Sequence, residues 1–171
     1  MSQMILHCGA EAATLNEIAT IPTPTPTKTH FPIPHSAFID SVRQTFNRNG
    51  IAITDEQHGL TKDGDRYFGL MQIARKGRED IAASSDYNFT VGVRNSHDKT
   101  FSAGLVLGSH VFVCDNLAFG GEVQLARKHT RHIARDLQRL MAAAVSKVLD
   151  KTTTLAARIA AYKATELTKA E

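Results

Sequence analysis

Residues 111–139 read VFVCDNLAFGGEVQLARKHTRHIARDLQR. VFVC alternates like the end of a strand, Gly120-Gly121 reads as a hinge, and the chain from about Val123 to Leu149 reads as a basic helix. Arg127, Arg131, Arg135 and Arg139 recur every four residues, which on one helix makes a slowly drifting stripe. Ile133, Leu137, Leu140, Met141, Ala144 and Val148 fall on the opposite face at helical spacing. The preceding chain then has to supply a sheet for that helix to lie on.

Four strand-like runs meet this need. Ile51 to about Gln57 is the first, and short. Lys62-Asp63-Gly64-Asp65 reads as a hairpin turn, because Asp-Gly adopts positive φ at low cost. Arg66 to Arg75 is the second strand, with Tyr67, Met71 and Ile73 on one face. The segment KGREDIAASSDY (76–87) reads as a polar loop, and Asn88 to Arg94 alternates through Phe89, Val91 and Val93. After the turn NSHDKT, Phe101 to Cys114 reads as one long strand. Phe101, Ala103, Leu105, Leu107, Val111 and Val113 would share one of its faces. Gly104 and Gly108 lie on the other face, marking a bend or the close approach of another backbone.

Before the strands, Ser36 reads as an N-cap for a helix over Ala37 to Asn49, with Phe38, Ile39, Val42 and Phe46 apolar and Gly50 at its left-handed end. All five prolines sit at or before Pro34, in IPTPTPTKTHFPIPH (21–35). Alternating Thr-Pro forbids helix and favours an extended arm, either a strap across the body or a reach to a neighbouring subunit. EAATLNEIAT (11–20) suits a short helix, and Leu155 to Leu167 a last one. The expected fold class is α+β: an antiparallel meander of about four strands, a short helix before it and a long basic C-terminal helix packed on one face. Residues 1–34 would form an N-terminal segment with its arm, 35–150 the core, and 151–171 a helical tail.

The chain has 171 residues, 42% hydrophobic and 22% charged, so it can bury a core without staples. It lacks both a long apolar run and a secretion signal, so no membrane association is expected and a reducing cytoplasm is the default for Cys8 and Cys114. Net charge is only +3, but from Val123 to Leu149 six Lys and Arg face the single acid Asp136. The excess is local, and too few acids are interleaved to explain the arginines as salt-bridge ladders.

Guanidinium forks suit phosphate oxygens, so Arg127, Lys128, Arg131, Arg135 and Arg139 are the expected nucleic-acid contacts. Arg94 and Lys99 on the strand turn would extend the track, and Tyr67 or Phe68 could stack on bases. No metal and no cofactor is expected. The alternative metal set is His97, Asp98, His110 and Asp115, though no compact ligand signature joins them. Cys114 shares a strand face with His110, but its simplest role is a small buried hydrophobe.

IPTPTPTKTHFPIPH, GVRNSHDK, VFVCDNLAF and ARKHT resemble the motifs of the phage/plasmid-like family, an uncharacterised domain of unknown function numbered nine-three-two. The resemblance runs from about Thr20 to Val148 and implies a mobile-element or prophage context. It brings no catalytic residues with it. The order helix, meander, long helix is also similar to single-strand annealing proteins of the recombination-mediator type, by architecture alone. The resulting expectation is a non-catalytic protein that binds single-stranded DNA through a basic helix, with the arm as the one hint of a homo-oligomer. The alternatives are a metal-dependent nuclease and an interaction or inhibitory protein that binds an acidic partner surface.

Overall fold

The computed structural model describes residues 3–75, 89–108, 111–121 and 123–147. The loop expected at 76–87, His110 and the tail 151–171 lie outside the described residues. Among the described residues the fold is α+β, with two sheets.

The larger sheet has six antiparallel strands in the order β2-β3-β4-β5-β6-β9. These are β2 (Ala10–Ala12), β3 (Ile51–Thr61), β4 (Arg66–Arg75), β5 (Phe89–Ser96), β6 (Ala103–Gly108) and β9 (Val123–Arg127). The central meander follows the sequence pattern, and the Lys62–Asp65 turn joins β3 to β4 with the Gly64 amide donating to Thr61 O at 2.8 Å. The smaller sheet has three strands in the order β1 (Gln3–Ile5), β7 (Phe112–Cys114), β8 (Phe119–Gly120). There β1 runs parallel to β7, with Ile5 opposite Cys114.

Three of the described helices cover one face of the large sheet. They are α1 (Leu15–Thr20), α2 (His35–Arg48) and α3, helical over 133–147. Thr14 and Glu17 cap α1 reciprocally, each side chain accepting from the other's backbone amide. In α2 the buried positions His35, Phe38, Ile39, Val42 and Phe46 recur at helical spacing. Its first turn closes from the Phe38 amide to Pro34 O, so the helix begins before the expected Ser36 cap. Gly50 ends it at φ 70, as a left-handed terminus requires. The helices pack on Tyr67, Met71, Val91, Val93, Leu105 and Leu107, and α3 contributes Ile133, Leu137, Met141, Ala144 and Val145. No helix among the described residues is long and apolar enough to cross a membrane.

Two expectations need correction. The run Phe101–Cys114 is two strands in different sheets, not one. Ala103, Leu105 and Leu107 face the helices, whereas Val111 and Val113, with Phe101 beside them, pack against Phe68, Leu70 and Val106 on the opposite face. Gly92 lets this second layer approach, since a Cβ there would lie 2.5 Å from Val113 Cγ2. The second correction is that Val123–Arg127 is strand β9, paired antiparallel with β6 from Leu107–Val123 to Ala103–Arg127. Its half-buried and exposed residues alternate, which is the strand period. Pairing here satisfies the free edge of β6, which a helix starting at Val123 would have left open.

Residues before Pro34 are integral to the body. β2 extends the large sheet, β1 builds the small one, and the arm lies against the core, the Phe31 amide donating to His129 O at 2.8 Å. The arm is thus a strap within its own chain.

Candidate nucleic-acid interface

Because β9 replaces the first turns of the expected helix, the arginines divide. Arg127 ends a strand, Arg131 lies in the turn before α3, and only Arg135 and Arg139 share the helix four residues apart. Arg127 lies on the helix-facing side of β9, like Val123 and Leu125, and donates to Asp136 Oδ2 at 2.6 Å and Thr130 Oγ1 at 3.2 Å. Arg135 touches Asp136 Oδ1 at 3.3 Å with its side chain 76% exposed. Burial works to raise the Asp136 pKa, but the two guanidiniums outweigh it and hold the carboxyl below its ordinary value. Lys128, Arg131, His132, Arg139 and Lys147 are exposed, and no described residue forms an ion pair with any of them. Beside them a polar groove runs between α2 and α3, lined by Ser41, Gln44, Thr45, Arg48, Asn49, Gln138 and Ala142.

Of the remaining expected contacts, Arg94 stands apart from this surface. Arg94 is half-buried, its guanidinium 4.3 Å from the Phe119 ring centroid and 4.9 Å from that of Phe101. It therefore packs over the small sheet. Lys99 is exposed at a turn with φ 69. Tyr67 and Phe68 are both fully buried, on opposite faces of the large sheet, and neither can stack on a base.

His97 belongs to a buried polar cluster not foreseen from spacing. Its ring stacks on His35 at 3.9 Å between centroids, and His30 tilts against His129 at 5.2 Å. Asn95 sits among them. Its Nδ2 donates to Ile33 O at 3.0 Å and to His35 Nδ1 at 2.8 Å, and its Oδ1 accepts from His129 Nε2 at 2.7 Å. An accepting Nδ1 leaves the proton of His35 on Nε2, which donates to Gly64 O at 3.0 Å. His97 Nε2 donates to Ile33 O at 2.9 Å and His30 Nε2 to His97 O at 3.1 Å. Burial, with His97 alongside, pushes the His35 pKa down to about 4, and burial beside His30 and His97 does the same to His129. The rings aim at carbonyls and Asn95, and they tie the arm to the sheet.

Asp98 is engaged elsewhere, accepting from Arg66 Nε at 2.6 Å and from Thr100. Asp115 accepts the backbone amides of His7, Cys8 and Ala10 at 3.1, 2.6 and 3.1 Å. Burial would raise its pKa, but these amides keep it below the ordinary carboxylate value. His97, Asp98 and Asp115 thus occupy separate surroundings, while His110 is outside the described residues. Among the described residues, the His, Cys and acidic ligand atoms that do come together are those of His7, Cys8 and Asp115, within 4.8 Å of one another. Cys114 is buried, as expected, but its Sγ lies 3.7 Å from His7 Nδ1 rather than among apolar atoms alone.

Spacing could not join His7 to Asp115, 108 residues apart, because only the β1–β7 pairing brings them together. The histidine cluster did leave a trace. IPTPTPTKTHFPIPH contains His30 and His35, GVRNSHDK contains Asn95 and His97, and ARKHT contains His129, so three motifs of the resemblance meet at one place. No curated protein and no solved structure matches the chain. Residues 25–171 match the model of a family described as a domain of unknown function (DUF932), and the chain belongs to that family.

Proposed function

We propose that the protein binds nucleic acid, single-stranded DNA being the expected form, through phosphate contacts along α3 and the turn before it. One observation carries the reading: Asp136, the lone acid from Val123 to Lys147, is held by Arg127 and touched by Arg135, so Lys128, Arg131 and Arg139 have no ion-pair partner among the described residues. Lys128, Arg131, Arg135 and Arg139 form the track, with Arg48 and the amides of the α2–α3 groove beside it. Arg94 drops out of the central set, and with Tyr67 and Phe68 buried the affinity rests on charge more than on stacking. The role is non-catalytic, in the mobile-element or prophage setting that the family resemblance implies, with the cytoplasm the expected compartment. The nuclease reading has no converging ligand set among His97, Asp98 and Asp115 to support it.

A salt titration with short oligonucleotides tests this. Four engaged cations on a single strand give log K against log salt a slope of about −3, and Arg131→Gln with Arg139→Gln should flatten it by about 1.4. Equal binding of duplex removes the single-strand preference. No binding at low salt overturns the proposal and puts an acidic protein partner in its place.

A further inference from the structure

We propose that two dipeptides distant in sequence, His7-Cys8 and Cys114-Asp115, form a binding site for a thiophilic divalent cation of the zinc class. The parallel pairing of β1 with β7 sets Ile5 beside Cys114, so the residues after each strand emerge together. His7 Nδ1, Cys114 Sγ and Asp115 Oδ1 then form a nearly equilateral triangle. Its edges are 3.7 Å from Cys114 Sγ to His7 Nδ1, 3.7 Å from Cys114 Sγ to Asp115 Oδ1, and 3.7 Å from His7 Nδ1 to Asp115 Oδ1.

That size fits a zinc ion. Zinc bonds of about 2.0–2.3 Å to nitrogen, oxygen and sulfur give tetrahedral ligand–ligand edges of roughly 3.4–3.7 Å. A 3.7 Å triangle places its centre about 2.1 Å from each corner, within about 0.2 Å of the zinc bond length to each ligand. Cys8 is the fourth ligand by rotation of its exposed side chain, since its ligand atom lies within 4.8 Å of those of His7 and Asp115. Cys8 and His7 are exposed whereas Cys114 and Asp115 are buried, so the ion has an open approach and a fixed floor.

The carboxylate is already oriented for the task. Oδ2 takes the Cys8 and Ala10 amides, and Oδ1 takes the His7 amide and, at 3.7 Å, the Cys114 thiol, whose proton the ion would replace. Two thiolates, an imidazole and a carboxylate suit zinc and its mimics over magnesium or calcium. Four protein ligands leave no position for substrate, so the site is structural: it clamps the N-terminal segment onto β7. Binding would release the two thiol protons to solvent, with no change of oxidation state.

The test uses the untagged full chain, purified reduced and stripped of metal, titrated with Co2+ and then Zn2+. One equivalent of Co2+ should produce the visible bands of a tetrahedral site with a thiolate charge-transfer band, and Zn2+ should abolish them. Cys8→Ser lies at the surface and should leave folding intact, while weakening Co2+ binding at least about tenfold and diminishing the charge-transfer band. His7→Ala should weaken binding comparably, with the thiolate band retained. Absence of a one-equivalent cobalt spectrum overturns the proposal, and so does a Cys8→Ser variant that binds as wild type does. Either failure leaves the α3 reading untouched, because no residue is shared.

Discussion

Arg127, the last residue of β9, places its guanidinium 2.6 Å from the Asp136 carboxylate on α3. This pair joins the sheet edge to the helix that crosses it, and it sets how much positive charge α3 presents. Asp136→Asn should therefore move two properties in opposite directions. Arg135 already belongs to the track, so freed Arg127 adds one cation to the surface and the salt slope for oligonucleotide binding should steepen by about 0.7. Thermal unfolding should occur at lower temperature, because the link from strand to helix is lost. A variant with unchanged salt dependence would separate this pair from the binding surface.

Leu137 is 2% exposed and packs in the core shared by α3 and the large sheet. Leu137→Ala should cost roughly 2–5 kcal/mol, the upper end if the site cannot collapse. Urea unfolding would show this as a lower midpoint with the same m-value. A loss well under 1 kcal/mol would mean that α3 is only loosely docked.

The meander was legible because its apolar residues alternate and its turns carry Asp-Gly and polar residues. The region after Gly108 was misread because VQLAR fits both periods: its apolar residues alternate like a strand, while Arg127 also begins a four-residue arginine spacing. Only the free edge of β6 decides between them, and an edge is a tertiary fact. The same holds for Val111 and Val113, which continue the alternation of β6 on paper but turn over to cover its other face. The basic surface was legible as composition. The histidine cluster and the His7–Asp115 contact were not, since each joins segments that only the folded sheet brings together.

Asn95 is fully buried and serves three partners, Ile33 O, His35 Nδ1 and His129 Nε2. Asn95→Leu is close in volume but strands His35 Nδ1 and His129 Nε2, while Ile33 O keeps the His97 ring, and each stranded buried group costs about 1–3 kcal/mol. The arm should loosen first, because Ile33 and His30 reach the sheet through this cluster. Amide exchange at Phe31, whose N–H is bonded to His129 O, should accelerate more than exchange within β4. Uniform acceleration in both would show that the cluster holds the whole fold rather than the strap.

Acid should weaken the fold before Asp98, Asp115 or Asp136 is protonated. His35 and His129 titrate at about 4 in the folded chain against 6.5 as free groups, each lowered mainly by burial. Between these values the unfolded chain binds more protons than the folded one, so stability rises with pH. The contribution is fully present above about pH 6.5 and is lost as pH falls toward 4. From pH 7 to pH 5 the two residues together should remove roughly 2–3 kcal/mol, a figure already reduced for solvent screening near His129. Asp98, Asp115 and Asp136 all have pKa values below their ordinary carboxylate value, so they stay ionised across this interval. Urea midpoints measured at pH 7, 6 and 5 should therefore fall steadily. His129→Gln keeps a donor for Asn95 and removes one titrating ring, so its midpoint should fall about half as far. A wild-type midpoint that stays constant from pH 7 to pH 5 would show that these rings are not buried in their neutral form.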